Sequence, residues 1–153
     1  MTKKGKKDLK TIGSYLKLRG LKPDLMLSSC ARRAQETADI LSEILESDCR
    51  TNYLQELYFT PTDVLKELLL MQDDEHDTIF VVGHNPQLTD TANLLIDEHI
   101  AKIPTSGVVA INFDIGSWSE LETVKGTLEF FIYPKQFKYY VPNQIRAILN
   151  KGF

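Results

Sequence analysis

The strongest constraint on the fold is that helix-like and strand-like segments alternate along almost the whole chain. Helical segments repeat apolar residues three and four positions apart, whereas strand segments are short apolar runs bounded by turn residues. Helices are predicted at residues 5–19, 31–45, about 61–71 with Pro61 in the first turn, 86–96, and within 141–153. Strands are predicted at residues 23–29, 52–54, 77–82, 106–114 and 127–134. This order predicts one α/β domain, a mostly parallel sheet with helices on both faces.

The composition fits one soluble globular domain and argues against several functional classes. The 153 residues are 42% hydrophobic and 25% charged, which is enough to build a core. The net charge of -3 does not indicate nucleic-acid binding, and we interpret five lysines among the first ten residues as a solvated helix face. The apolar runs are strand-sized and no signal peptide is recognisable, so we expect a cytoplasmic protein that does not bind membranes.

The metal-binding residue types do not form a recognisable site. Cys30 and Cys49 make neither a CxxC motif nor a disulfide framework. His76 and His99 lie in polar segments typical of turns, and no HxH or HExxH spacing is present. We therefore predict no metal and no other cofactor.

Two predicted strand ends carry residues suited to anion binding, and the first is the segment SSCARR. The strand ends at Ser29, and Arg32 and Arg33 fall in the first turn of the next helix. Positive charge there opposes the helix macrodipole, which suggests that an anion is bound nearby. The planar fork of arginine holds phosphate or carboxylate with two hydrogen bonds. The alternative interpretation is a pair of solvent-exposed arginines.

The second strand end is the segment GHNP, where a buried strand runs into a helix. Ligands of α/β proteins bind at the carboxyl ends of strands, and a helix N-terminus favours anions. His84 lies at this position, and histidine is a residue type that commonly accepts or stabilises charge at functional sites. The alternative is a histidine that only shapes the loop. Because parallel strands end at the same edge of a sheet, we expect Arg33 and His84 to converge on one anion.

Three short motifs occur in the order found in one known superfamily, and a fourth segment resembles the start of one of its helices. A serine turn followed by Arg-Ala-x-x-Thr is matched by Ser29, Arg33, Ala34 and Thr37. A strand ending in Gly-His, a Pro-Thr-Ser-Gly turn and a Thr-x-x-Gly helix start are matched at residues 83–84, 104–107 and 2–5. The chain thereby resembles the histidine phosphatase superfamily, in particular its short SixA-like phosphohistidine phosphatases. The resemblance implies a single three-layer domain of the phosphoglycerate mutase-like type over residues 1–153.

The resemblance also implies a reaction, the hydrolysis of a phosphoryl group through a covalent phosphohistidine on the enzyme. The transferring phosphoryl group is anionic and needs cationic donors around it. Arg33 would clamp its oxygens, His84 would donate a hydrogen bond or a charge to them, and Ser29 would bind the same group. Glu56 lies near a position where the superfamily can carry an acid that protonates the leaving group. The alternative for Glu56 is a surface glutamate.

The chain departs from the superfamily in its nucleophile. The superfamily carries the nucleophilic histidine on an N-terminal strand that ends in Arg-His-Gly or Arg-His-Ala, and this chain contains no Arg-His dipeptide. Its first residues match the helix that follows that strand. We therefore expect an N-terminally truncated domain that lacks its first central strand and is inactive as written.

Two other functions stay open. One is a non-catalytic phosphoryl-binding remnant that uses Arg33 and His84, and the other is a phosphatase of small phosphomonoesters. The short interval between Arg33 and His84 leaves little room for a lid over a small substrate. This favours a phosphorylated protein, carrying phosphohistidine, as the partner.

Overall fold

The computed structural model describes residues 1–58 and 61–139, which form five α-helices and five β-strands. The helices are α1 (Lys3–Leu18), α2 (Arg32–Ile44), α3 (Thr62–Leu70), α4 (Gln87–Leu95) and α5 (Pro134–Tyr139). The strands are β1 (Leu25–Ser29), β2 (Arg50–Leu54), β3 (Ile79–Val82), β4 (Val108–Asn112) and β5 (Thr127–Ile132). Two short 3-10 helices lie at Gln55–Leu57 and Trp118–Glu122. None of the helices in these ranges is long and apolar enough to cross a lipid bilayer.

The predicted alternation of helices and strands is confirmed in the described residues, with local differences at two prolines. Pro61 lies at the N-cap of α3 with extended backbone angles instead of within the first helical turn. Pro134 begins α5, so the last strand ends earlier than predicted, at Ile132. A proline fits the first position of a helix because the N–H that it lacks would have no helical partner there. The helix predicted within residues 141–153 lies outside the described residues.

Strand β1 is the centre of a three-stranded parallel sheet with the order β2-β1-β3. Leu25 of β1 lies opposite Arg50 of β2 and Ile79 of β3, and Ser28 lies opposite Val82. All five residues of β1 are buried. A strand covered on both faces needs a continuous apolar run, which the segment LML supplies.

Helices cover both faces of this sheet, which confirms the α/β class with helices on either side. Successive side chains of a strand point to opposite faces. Met26 packs on one side in a cluster that includes Leu16 of α1. Leu27 packs on the other side with Leu65 of α3 and Leu95 of α4.

The described strands do not form one continuous sheet. Strands β4 and β5 form a separate antiparallel pair. Within the described residues β3 pairs only with β1 and β4 only with β5, yet both line one cavity of about 1640 Å³. All four β3 residues are only half-buried, in contrast to those of β1. We call the part of this cavity between Ile79–Val82 and Val108–Asn112 the β3–β4 slot.

The central position of β1 predicts a large effect of truncating its middle leucine. Leu27 is 0% exposed, and Leu27→Ala is expected to lower the free energy of unfolding by about 3 kcal/mol because it leaves a cavity between the sheet and α3. The control is Leu94→Ala, since Leu94 is 40% exposed and its loss is expected to cost less than about 1 kcal/mol. Urea denaturation followed by circular dichroism measures both values. Equal losses would contradict the buried position of β1.

Candidate active site

Ser29 ends β1 at the edge of the sheet where α2 begins. Its side chain is fully buried, and its Oγ accepts a hydrogen bond from the backbone N–H of Ala31 at 3.2 Å. Ala31 is the N-cap of α2 and makes no side-chain cap of its own. Ser29 thereby satisfies a backbone donor that the helix leaves without a partner. Gln35 also holds the turn, because its Nε2 donates to the Cys30 carbonyl at 2.8 Å.

His84 lies two residues beyond the end of β3, on the same edge of the sheet. Its Nε2 is 2.8 Å from the Oγ of Ser29, so a hydrogen bond joins the ends of two neighbouring parallel strands. The ring is half-buried and meets the ring of Tyr58 edge to face, with centroids 5.2 Å apart and planes at 86°. These two contacts fix the orientation of the imidazole.

A hydrogen-bond network behind His84 ties its turn to the loop before β4. The Asn85 side chain donates to the Ile103 carbonyl at 2.6 Å. Its Oδ1 accepts hydrogen bonds from the backbone N–H and the hydroxyl of Thr89 at 3.1 and 2.7 Å. The Thr89 Oγ1 in turn accepts from the N–H of Ile103 at 3.0 Å. The turn that carries His84 and the start of the following loop are therefore held as one unit.

That loop lines the same cavity as His84 through residues 104–107, the predicted Pro-Thr-Ser-Gly turn. Ser106 adopts a φ of 59°, in the left-handed region that costs a non-glycine residue free energy. A Cβ atom on Gly107 would lie 2.8 Å from the Pro104 carbonyl oxygen, so only glycine fits there without a shift. The turn is thus held in a demanding conformation by its surroundings.

Arg33 is the second residue of α2, and its exposed side chain lines the same cavity as His84. Among the described residues its guanidinium makes no ion pair, whereas Arg32 pairs with Glu36 at 3.4 Å. Glu36 also pairs with the amino group of Met1 at 3.1 Å. The hydrogen bond from that amino group, with a smaller contribution from Arg32, lowers the pKa of Glu36. Glu36 is therefore paired with Met1 and Arg32 and not with Arg33. The guanidinium of Arg33 is thus available to an anion in the cavity.

The structure brings His84 and Arg33 to one cavity, whereas Ser29 and Glu56 are outside its lining. Ser29 is fully buried and reaches the site only through its hydrogen bond with His84. Glu56 is exposed in the 3-10 helix Gln55–Leu57, two residues before Tyr58. Asn85 and Tyr58 were not singled out from the sequence. For Asn85 a signal existed, because asparagine side chains commonly bond to backbone groups in turns. No local pattern marks Tyr58, whose contact with His84 is formed only by the fold.

The arrangement is suited to holding a tetrahedral oxyanion. Arg33 offers a planar fork of donors and His84 offers a ring nitrogen, both at the positive end of α2. Within residues 1–58 and 61–139, no group of three or more His, Cys, Asp and Glu side chains is placed to hold a metal ion.

Comparison with known proteins identifies the fold. The protein histidine phosphatase SixA, in a structure with tungstate, matches with a TM-score of 0.77 and 18% identity over 90% of this chain and 85% of that one. A SixA structure from Nakamurella multipartitia matches at 0.76 and 19%, over 88% and 84%. One from Agrobacterium tumefaciens matches at 0.74 and 24%, over 88% and 82%. No protein-family model and no curated protein matches the chain. The chain has the SixA-like histidine phosphatase fold.

The bond between Ser29 and His84 predicts that Ser29 supports anion binding through the imidazole. Ser29→Ala leaves His84 without this partner, at a cost of about 1 kcal/mol, or about fivefold in Kd for orthophosphate. The matched control is Ser28→Ala, because Ser28 is equally buried and its Oγ donates only to the Ser29 carbonyl, at 3.0 Å. Isothermal titration calorimetry measures both constants. A control that loses as much affinity as Ser29→Ala would refute the positioning role.

Proposed function

We propose that the protein is a phosphohistidine phosphatase-like hydrolase of the cytoplasm that works through a covalent phosphohistidine, with the nucleophilic histidine absent from this chain. The observation that carries the proposal is the 2.8 Å contact between His84 Nε2 and Ser29 Oγ, which holds His84 at the cavity that Arg33 also lines. The SixA-like fold supports the same reaction class. The substrate in this proposal is a phosphohistidine carried by a protein.

The chemistry accounts for the residues at the site. A neutral imidazole nitrogen of the enzyme attacks phosphorus, a new N–P bond forms, the N–P bond to the substrate breaks, and the leaving imidazole takes up a proton. Water then attacks the enzyme phosphohistidine, which releases orthophosphate and restores the imidazole. In both steps negative charge lies on the equatorial oxygens, where Arg33 and His84 stabilise it. Glu56 remains a candidate proton donor, although a phosphohistidine leaves readily without a strong acid.

The nucleophile must come from outside this chain in the proposal, because neither of the other two histidines is placed beside His84. The chain contains three histidines. His76 lines the same large cavity but precedes β3, so it lies near the opposite end of that strand from His84, and its carbonyl accepts a hydrogen bond from Trp118. His99 is exposed in the loop beyond α4. His84 itself is engaged with Ser29 and fits the role of a phosphate-stabilising group.

The β3–β4 slot is the place where we propose that the missing strand enters. A strand there finds an unpaired edge of β3 on one side and of β4 on the other, so its backbone groups can be satisfied. The cavity is lined by leucines of α1 and α2 and by leucines of α3 and α4, which suits a strand that is apolar on both faces: Leu9, Leu16, Leu41, Leu65, Leu69 and Leu95.

The direction of such a strand follows from its neighbours. Parallel to β3, it would end at the edge of the sheet that carries His84, and its last residues would reach the phosphoryl site. Met1 and Thr2 line the same cavity at the start of α1. A strand that fills the slot can therefore lead into α1 through a short connection, as in other strand–helix–strand units.

A non-catalytic phosphoryl-binding protein is the second candidate function. It is favoured by the same pair, Arg33 and His84, which can hold a phosphoryl group without a nucleophile. A phosphatase of small phosphomonoesters would need the same groups and remains the alternative for the substrate. Measurement of phosphohistidine hydrolysis distinguishes the enzyme from the non-catalytic binding protein.

The first test restores the strand. The chain of 153 residues is expected to leave a phosphohistidine peptide intact, whereas the chain extended before Met1 by an apolar strand ending in Arg-His is expected to release orthophosphate. The same extension ending in Arg-Asn should fill the slot without hydrolysis, because it lacks the attacking nitrogen. Hydrolysis by the unextended chain would refute the absent nucleophile, and a stable but inactive Arg-His extension would favour the binding function.

The second test concerns the anion-binding residues of the extended, active protein. Arg33→Ala and His84→Ala are each expected to lower kcat/KM for the phosphohistidine peptide by about 100-fold, because each removes a donor to the transferring phosphoryl group. Arg32→Ala is the control, since its side chain is 93% exposed and pairs with Glu36; we expect less than about a twofold change. Steady-state phosphate release measures all three, and unchanged turnover in Arg33→Ala or His84→Ala would disprove the assignment.

A further inference from the structure

The first ten residues differ sharply in charge from the remainder of the chain. They contain five lysines and one aspartate, a formal net charge of +4, although the whole chain carries -3. The other residues therefore sum to -7. A concentrated positive segment on an otherwise acidic protein is typical of a surface that binds a negatively charged partner.

These lysines form one exposed face of α1, which we call the lysine face: Lys3, Lys4, Lys6, Lys7 and Lys10. The opposite side of α1 packs into the core through Leu9, Ile12 and Leu16. Among the described residues no carboxylate pairs with any of the five lysines. The first turn of α1 also contains no acidic residue, so its positive charges oppose the helix dipole. Neither packing nor ion pairing within the described chain offsets this cost.

The lysine face adjoins the candidate active site. Met1, Thr2 and Gly5 at the start of α1 line the cavity that Arg33 and His84 also line. The amino group of Met1 pairs with Glu36 one helical turn beyond Arg32, so the N-termini of α1 and α2 lie side by side. Positive charge therefore extends from the anion site across the outer surface of α1.

We propose that the lysine face is a docking surface for an acidic protein segment that carries the phosphoryl group to the site. The proposal rests on the proposed function, since it names the kind of partner that presents the substrate. Lys3 to Lys10 span only about 10 Å along the helix, from 1.5 Å per residue. That length suits a small acidic cluster on a protein. A long nucleic acid would also run past the acidic remainder of the surface, which would repel it.

The physical effect expected of such a surface is faster and tighter association at low salt. Charges at the rim of a binding site mainly steer encounter and become weaker as ionic strength rises, because the Debye length is about 8 Å at physiological salt. Affinity for an acidic partner should therefore fall with salt more steeply than affinity for free orthophosphate.

The test compares two labelled twelve-residue peptides with one central phosphoserine, one flanked by glutamates and one by glutamines. Fluorescence anisotropy at low salt gives Kd for the protein and for the double variant Lys3→Glu/Lys7→Glu. We expect the variant to bind the glutamate peptide about tenfold more weakly and the glutamine peptide within about twofold. The control is Lys22→Glu/Lys135→Glu, which changes the net charge equally at two exposed lysines outside α1. It should stay within about twofold for both peptides.

Thermal unfolding separates docking from damage to the fold. Lys3→Glu places a negative charge at the first residue of α1, where it complements the helix dipole, so the melting temperature of the double variant should be equal to or above that of the parent. Weaker binding together with undiminished stability supports a docking surface. Equal losses in the double variant and the control would overturn the proposal in favour of net charge alone.

Two further measurements distinguish the docking surface from the anion site. If Arg33→Ala and His84→Ala leave phosphopeptide affinity unchanged, the proposed function is refuted. The docking surface would still be supported if an unphosphorylated glutamate peptide binds more weakly to Lys3→Glu/Lys7→Glu than to the parent. A twelve-nucleotide single-stranded DNA that binds through the same lysines more tightly than the glutamate peptide would overturn the acidic-protein assignment. Unchanged affinity of the double variant for the glutamate peptide would also overturn it.

Discussion

The parallel pairing of β1 with a strand on each side is the constraint from which the site follows. Because β1 is fully buried and in register with β3, the ends of the two strands are held at one level. Ser29 and His84, at or just beyond the ends of these strands, then meet at 2.8 Å. Helix α2 begins at the same edge, three residues after the end of β1. Arg33, its second residue, therefore lies near this edge as well. Backbone pairing thus places His84 beside a segment, Ser29 to Arg33, that lies more than 50 residues earlier in the chain.

The sequence was sufficient to predict the elements that this pairing uses. Apolar periodicity predicted the helices and strands, and the rule that parallel strands end at one edge led us to expect Arg33 and His84 to converge. The sequence was not sufficient to predict side-chain contacts between segments that only the folded chain brings together. Tyr58 meets His84 from a loop 26 residues earlier, and the Asn85–Ile103 bond closes a loop whose path no local pattern defines. The boundary at Pro134 was misplaced because the apolar strand before it ran directly into the helix.

Positive charge predominates where α1 and α2 begin, and this bears on the function of the surface that they form. Both α1 and α2 begin without an acidic residue in the first turn, so both helix starts carry cations against their dipoles. At α2 Glu36 partly compensates through Arg32, while Arg33 has no such partner within residues 1–58 and 61–139. Natural sequences accept local costs of this kind mainly where function requires them. An anion at the cavity and an acidic partner across α1 would compensate both helices together.

The β3–β4 slot connects stability with activity in the proposed function. Strands β3 and β4 are largely half-buried beside a cavity of about 1640 Å³, and the backbone groups on one edge of each strand have no strand partner among the described residues. A strand that enters the slot would satisfy those groups and, being parallel to β3, would also carry its last residue to His84. Insertion of that strand would then both stabilise the fold and complete the site. A binding step that stabilises only the filled state shifts the population toward it in proportion to that free energy. The reactive nitrogen would be exposed at the site only in molecules whose sheet is complete.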